Sequence, residues 1–295
     1  MRKSYLPVML LIMSFFSFQG LTAQENDENA TTANSHWQAG INYLSNDVYL
    51  GRKDSMNLPY ITPAIGYYHK SGLFVSGSLS YSSSAAQSQL DLFELVAGYT
   101  FTSNKLDGEI SFSKDFYNSK SYGVKSETKG SLDGSLSYDF GFVKPTIETG
   151  ISFNKRPDYS VAFGLEHSFY AADNKLEIAP SFLLNASTQN YYSSYYSKRK
   201  YALKRKKGNT TGGATITAYL PNAGEFKIMD YEFSIPVNYT AGDFTFNFTP
   251  TFAAPTNPAI VVLTVKPVAG NSYTKTFTEK ISDVFYWSAG VSYNF

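Results

Sequence analysis

The sequence predicts an all-β fold: a transmembrane antiparallel up-and-down β-barrel of twelve strands. Three observations predict it. In the last stretch, 283–295, Phe285, Trp287, Ala289, Val291, Tyr293 and Phe295 occupy alternate positions, with Ser288, Gly290, Ser292 and Asn294 between them. Successive side chains of a strand point to opposite faces, so this segment has one apolar face and one polar face. Similar amphipathic runs recur along the chain, and a tilted barrel strand needs about 9–11 residues to cross a bilayer. The connections between runs alternate between tight turns and longer segments, as in barrels with short turns on one side of the membrane and long loops on the other.

Composition narrows the class further. The 295 residues carry a formal net charge of +1, so no global field points to nucleic acid. The chain has 0 cysteines, which excludes disulfide frameworks, thiol chemistry and cysteine-ligated metals. Aromatic residues make up 17%, with 24 Tyr and 23 Phe, and suit girdles at two membrane interfaces. The mean hydropathy of −0.24 is low for a helical membrane protein, whereas a barrel hides its apolar half in alternation.

In chain order, residues 1–23 read as a cleaved signal peptide. Arg2 and Lys3 precede an apolar run from Leu6 to Phe18, and Leu21-Thr22-Ala23 offers a cut ahead of Gln24. The run is shorter than the roughly 20 residues of a spanning helix. Residues 24–35 are polar and acidic and read as a disordered periplasmic leader. The barrel covers 36–295, with strands near 36–46, 58–69, 73–83, 89–102, 107–117, 127–139, 143–154, 159–170, 174–186, 227–239, 243–253 and 282–295. Tight turns fall at Lys70-Ser71-Gly72, Ser103-Asn104-Lys105, Gly141, Ala172-Asp173-Asn174 and Thr240-Ala241-Gly242-Asp243. Longer connections, with the external loops 187–226 and 255–281 the longest, fall between them, so both chain ends lie in the periplasm. Outward faces include Ile110/Phe112, Leu132/Leu136/Tyr138, Val161/Phe163/Leu165 and Phe244/Phe246/Phe248. Thr215 to Leu220 and residues 259–265 also have strand character. Counting them as membrane strands would give fourteen, but the loop and turn phase holds without them.

The terminal strand closing on Tyr293 and Phe295 resembles the assembly signal of Gram-negative outer-membrane β-barrel proteins, and 36–295 as a whole resembles that broad class. The resemblance implies insertion into the outer membrane by the barrel-assembly machinery, in contact with outer-membrane lipid and lipopolysaccharide. The cut before Gln24 and the Tyr/Asn-rich loops look like those of the Bacteroidetes group. His69-Lys70-Ser71 has the spacing of the His and Ser of outer-membrane phospholipases A, a twelve-stranded barrel family. A nucleophilic serine needs an imidazole in reach and a third, orienting group. The phase sets His69 at a periplasmic turn, away from the external side where that family's site lies, so the reading is a surface histidine. His167 reads as an interfacial histidine at girdle level.

No metal-ligand pattern stands out: Asp54, Asp107 and Asp115 lack calcium-loop spacing. No glycine-rich phosphate loop opens a helix, and neither a cofactor nor an enzyme activity is expected. The polar faces carry more information. Glu94, Glu109, Asp133, Asp139, Glu148, Glu166, Glu177 and Glu232 fall on the small, polar parity of their strands, with Lys144 the comparable base. A bare carboxylate in a dry interior costs several kcal/mol unless paired. The expectation is therefore a hydrated acidic lumen, or one neutralised by loop or leader residues folded in as a plug. Loop 187–226 holds Tyr191, Tyr192, Tyr195, Tyr196 and Tyr201 as sugar-stacking candidates. It also holds Lys198, Arg199, Lys200, Lys204, Arg205, Lys206 and Lys207, candidates for an anionic surface such as lipopolysaccharide phosphates, or simply a solvated charge run. The leading functional expectation is a porin-like channel for small solutes with a cation-preferring lumen. The alternative is a closed structural or binding barrel acting through the basic, Tyr-rich loop, and a third reading is a barrel lipid hydrolase. Solute and oligomeric state are not written in the residues, because fold does not fix function.

Overall fold

The computed structural model describes residues 34–53, 57–84, 87–121, 123–196, 215–267 and 270–295. Twelve antiparallel staves close into a barrel. The first seven are β1 (His36–Leu44), then, after a ribbon of β2 (Val48–Tyr49) and β3 (Arg52–Lys53), β4 (Tyr60–Tyr68), β5 (Leu73–Ser84), β6 (Gln87–Ser103), β7 (Leu106–Tyr117), β8 (Gly130–Tyr138) and β9 (Lys144–Ser152). The eighth is β10 (Asp158–Glu166) continued by β11 (Phe169–Ala171), and the ninth is β12 (Leu176–Ile178) with β13 (Ser181–Ser187). A short helix, α1 (Asn190–Tyr195), and a strand outside the wall, β14 (Thr215–Tyr219), follow. The tenth stave is β15 (Lys227–Ser234) with β16 (Val237–Ala241), and the eleventh is β17 (Phe244–Pro255). Two more outlying strands, β18 (Ile260–Lys266) and β19 (Tyr273–Thr278), precede the twelfth stave, β20 (Val284–Asn294).

Closure is made by β20. It pairs with β1 from Gln38↔Asn294 to Leu44↔Ser288, and with β17 from Phe244↔Tyr293 to Ala253↔Val284. Every stave therefore has two neighbours and no edge is left open. The breaks within the ninth and tenth staves fall at Pro180 and Pro236, which have no N–H to give to the ladder. Their carbonyls still accept, from His167 N at 3.2 Å and Ala179 N at 2.9 Å.

The alternation read from the sequence becomes inside and outside. Ile110, Phe112, Leu136, Phe163, Phe233 and Phe246 are exposed on the outer wall, while the residues between them turn in. Aromatic rings gather at both rims. Tyr138 meets Phe140 at 4.7 Å and Phe244 meets Tyr293 at 4.7 Å near the short turns, and Phe93 meets Phe116 at 5.7 Å toward the long loops. An apolar belt between two aromatic rims around a closed wall is the surface a bilayer requires, since lipid offers no partner to unpaired backbone.

The short turns use the residues expected of them. Gly72, Asn104, Gly141, Asp173, Asn174 and Gly242 all have positive φ. Gly72 is the most constrained: at φ +94° an added Cβ would stand 2.0 Å from the Thr100 carbonyl oxygen. Gly72→Ala should destabilise the barrel by about 1–3 kcal/mol, seen as a lower urea midpoint after refolding into lipid.

The segments left out of the twelve, 215–219 and 260–266, do not enter the wall. With β19 they form a separate sheet in the order β14-β18-β19. Val261 and Leu263 of that sheet are buried with α1 against the long-loop end of the barrel.

Candidate functional site

The interior is lined by short polar side chains and acids. Most are screened from solvent, including Gln38, Thr62, Ser78, Ser113, Thr249 and Thr251. The side chains of the inner wall are therefore crowded against one another. Among the expected acids, Glu94, Glu148 and Glu177 are buried, and Glu109, Asp133, Asp139, Glu166 and Glu232 keep intermediate exposure. Glu94 lies opposite Asp115 across β6 and β7, and Glu148 opposite Ser135 across β9 and β8. Glu177 accepts from Ser168 Oγ at 2.8 Å, Tyr170 OH at 3.2 Å and Asn238 Nδ2 at 3.3 Å. Glu232 accepts from the Tyr286 hydroxyl at 3.4 Å, and Asp133 from the Ser131 hydroxyl. Glu148 Oε2 is buried with no donor among the described residues. Asp139 stands one residue past β8, where its Oδ1 takes the Gly141 N–H at 2.6 Å and shapes the turn.

Two cations meet the interior acids. Lys144 is inside, but Asp107 engages it at 2.7 Å. Lys125 comes down from the connection between β7 and β8. It lies 4.8 Å over the Tyr49 ring and attracts Glu94, Asp115 and Asp133 electrostatically. The basic cluster Lys198, Arg199, Lys200, Lys204, Arg205, Lys206 and Lys207 lies outside the described residues, as do Tyr201 and residues 1–33.

Two irregularities of the wall bring in groups the alternation does not reveal. Between β5 and β6 the register passes from Ser80↔Leu92 to Tyr81↔Leu90, leaving Asp91 as the extra residue of a bulge. Its buried carboxylate accepts from Ser121 Oγ at 2.6 Å, Gln89 Nε2 at 2.9 Å and the Tyr60 hydroxyl. Between β13 and β15 the register shifts at Asn185/Ala186, and Met229 is the extra residue. Met229 is buried in the cluster that covers the long-loop mouth.

That cluster corrects the reading of the tyrosines. Tyr191, Tyr192, Tyr195 and Tyr196 are each 1% exposed, so their faces are not offered to sugars. They sit at or next to α1 and pack among themselves, with Tyr192 stacked on Tyr195 at 5.3 Å and Tyr191 edge-on to Tyr49 at 4.7 Å. Tyr49, Val124, Leu220, Ala259 and Val261 join them. The contributing segments belong to four different long connections, so the cluster spans the mouth.

Charged groups fasten it. Asp158, at the start of β10, accepts from Asn190 N at 2.6 Å, Tyr191 N at 2.7 Å, Thr188 Oγ1 at 2.7 Å and Asn154 Nδ2 at 2.6 Å. Arg52 is buried. It donates to the carbonyls of Leu50 at 3.0 Å, Thr256 at 3.0 Å and Asn257 at 2.8 Å, and lies 3.5 Å from Glu279 Oε2. The Tyr192 hydroxyl donates to Glu279. Burial first, and then the charge of Glu279, hold the Tyr192 phenol protonated well above its ordinary range.

The histidines have local roles. His69 Nδ1 is 2.8 Å from Ser71 Oγ, and it also accepts from Ser71 N at 3.2 Å. Both residues are exposed in a tight turn at the short-turn end, and the double contact across two residues is what a turn produces. His167 is edge-on to Phe169 at 4.5 Å, and His36 stacks on Tyr68 at 5.3 Å. Tyr293 stacks on Phe295 at 5.9 Å, and Phe295 exchanges two backbone hydrogen bonds of 2.9 Å with Trp37 across the closing seam. Among the described residues, no group of three or more His, Cys, Asp or Glu could hold a metal ion.

Wall, belt and lining together define a membrane-type β-barrel with a polar, acid-rich interior and a covered mouth. No family model matches the chain, and no curated protein does. Among solved structures it is similar to the NanC porin, at 9% identity, covering 88% of this chain and 98% of that one with a TM-score of 0.46. It is similar also to the KdgM porin, at 9% identity, 88% and 99% coverage and a TM-score of 0.43. A third likeness is to BamA from Haemophilus ducreyi lacking POTRA domains 1–3, at 11% identity, 88% and 70% coverage and a TM-score of 0.36. Likeness at this level says nothing of cargo.

Proposed function

We propose that this protein is an outer-membrane, porin-like channel whose lumen passes small cations. The observation that carries the reading is the excess of inward carboxylates over free cations. Glu94, Glu109, Asp133, Glu148, Glu166, Glu177 and Glu232 share the interior with two cations, Lys144, which Asp107 engages, and Lys125, which reaches in from the connection between β7 and β8. Rings of acidic side chains bias a pore toward cations through the local potential. The crowded inner wall favours inorganic ions or very small solutes over oligomers. The apolar belt and the aromatic rims support a bilayer setting, and the signal-like residues 1–23 support export.

The test is the reversal potential in a salt gradient across a planar bilayer. The wild type should reverse toward the cation equilibrium potential, and Glu148→Gln combined with Glu166→Gln should bring the reversal toward zero. An anion-selective wild type would overturn the charge argument. Silence of the wild type, and of every variant that uncovers the mouth, would turn the reading to a closed structural barrel.

A further inference from the structure

We propose that the cluster over the long-loop mouth is a lid, held shut by two separate latches at Asp158 and Arg52, and that releasing them opens the barrel. The proposal rests on the channel reading for its consequence, but the lid itself stands on geometry. Described residues of four connections that leave the wall at different points, within 45–53, 123–129, 188–196 with 215–226, and 256–267, meet in one apolar cluster. Tyr49, Val124, Tyr192, Leu220, Met229 and Val261 come from all four and from the bulge in β15, and all are buried. Burial of these tyrosines against one another stabilises the covered arrangement through apolar contact alone.

The fastening differs in kind from the packing. Asp158 belongs to the wall, as the first residue of β10. It takes the first two free N–H groups of α1, those of Asn190 and Tyr191, and so ties the tyrosine helix to the rim. Arg52 belongs to the ribbon after β1. It ties that ribbon to Thr256, Asn257 and Glu279 on the connection before β20. Glu279 in turn takes the Tyr192 hydroxyl and the Ala259 N–H at 3.2 Å, so a single carboxylate joins ribbon, helix and outer sheet. A buried charge that loses its partner is strongly disfavoured, so each latch favours one position of the lid. Two arrangements of packed elements, biased by a few polar contacts, are the ordinary basis of a gate.

The absence of cysteine makes the test direct, because one introduced thiol is the only thiol. Ala223→Cys places it inside the buried cluster. The full chain carrying it is reconstituted in lipid, alone and with Asp158→Ala, Arg52→Ala or both. Two quantities are read on each: the rate of labelling by a membrane-impermeant maleimide, and the single-channel record. The heat-dependent shift in electrophoretic mobility reports that the barrel is folded. Each latch variant should raise the labelling rate and the open fraction about tenfold, the population shift that follows from losing one differential contact of ordinary strength, and the pair should raise both further. Should an alanine variant lose the heat shift, Asp158→Asn and Arg52→Gln replace it and should give smaller changes in the same direction. Labelling that stays at the wild-type rate in folded latch variants overturns the lid, whatever the conductance does. Labelling that rises with no current at all upholds the lid and overturns the channel reading beneath it.

Discussion

Ile147→Arg should prevent stable insertion into lipid, whereas Tyr219→Arg should leave it unchanged. The two positions are equally open to solvent in isolation, at 52% and 54% exposure. They differ in where they stand. Ile147 is at the middle of β9, between Leu136 and Phe163 on the outer wall. Tyr219 ends β14, in the sheet that never joins the wall. A guanidinium at the bilayer midplane costs about 2–4 kcal/mol in a β-barrel and far less near an interface. A surface substitution in water is usually within about 0.5 kcal/mol. The measurement is the lipid-dependent folding equilibrium into vesicles of defined thickness, followed by the electrophoretic heat shift. Equal penalties at the two positions, or none at either, would mean that the exposed belt does not face lipid, and a soluble barrel with a greasy exterior would have to be explained instead. The comparison isolates location, since both substitutions create the same side chain on a β-strand.

Location within the membrane was legible because a closed barrel imposes one rule on every stave. Period-two alternation must hold in each strand, and the connections must alternate in length. Ile110/Phe112 on β7 and Phe244/Phe246/Phe248 on β17 announce their outward faces in the residues alone, and Gly72, Asn104 and Gly242 announce the tight turns through the backbone they permit. The preference for twelve staves over fourteen followed from the phase of those connections, and 215–219 and 260–266 indeed pair with each other outside the wall.

The mouth was not legible in the same way, because it is assembled by contacts between distant loops. Arg52 lies in a polar connection, and nothing local marks it as the residue that reaches Thr256, Asn257 and Glu279. Asp91 and Met229 owe their positions to register shifts, which period-two reading passes over. A signal for the helix was present, however. Tyr191, Tyr192, Tyr195 and Tyr196 recur at spacings of one and four, which places them on one face of a helix and on both faces of a strand. Read with the helical period, the same residues predict an amphipathic turn with a face to bury, and not a loop presenting rings to sugars. The charges that meet the acids were not legible either: Lys125 reaches Glu94, Asp115 and Asp133 from a loop, and Asp107 stands as the counter-charge of Lys144.

Gly290→Leu should stop the barrel from closing. β20 is the stave that completes the ring, and Gly290 is at its centre, paired with Asn42 of β1 on one side and Asn247 of β17 on the other. Its inward position has no room. An added Cβ would lie 2.6 Å from Asn42 Oδ1, 2.9 Å from the Ile41 carbonyl oxygen and 3.1 Å from Asn247 Nδ2. The side-chain amides could turn away, but the Ile41 carbonyl is backbone within the β1 ladder and cannot move without opening the seam. Overpacking of a fixed site costs about 1–3 kcal/mol and sometimes more, and leucine adds three further carbons beyond the Cβ. The loss should exceed that of an equal substitution elsewhere in the wall, because an unpaired β1 or β17 would expose a full strand edge to lipid, where each unsatisfied group costs several kcal/mol. Val291→Leu, one residue on and facing outward, is the control; it adds bulk toward lipid and should assemble normally. The readouts are the heat shift in electrophoretic mobility and the protease resistance of membrane fractions, which should be lost in Gly290→Leu and retained in Val291→Leu. A fully heat-modifiable Gly290→Leu barrel would show that β1, β20 and β17 do not meet in this register, and the seam would have to be drawn elsewhere.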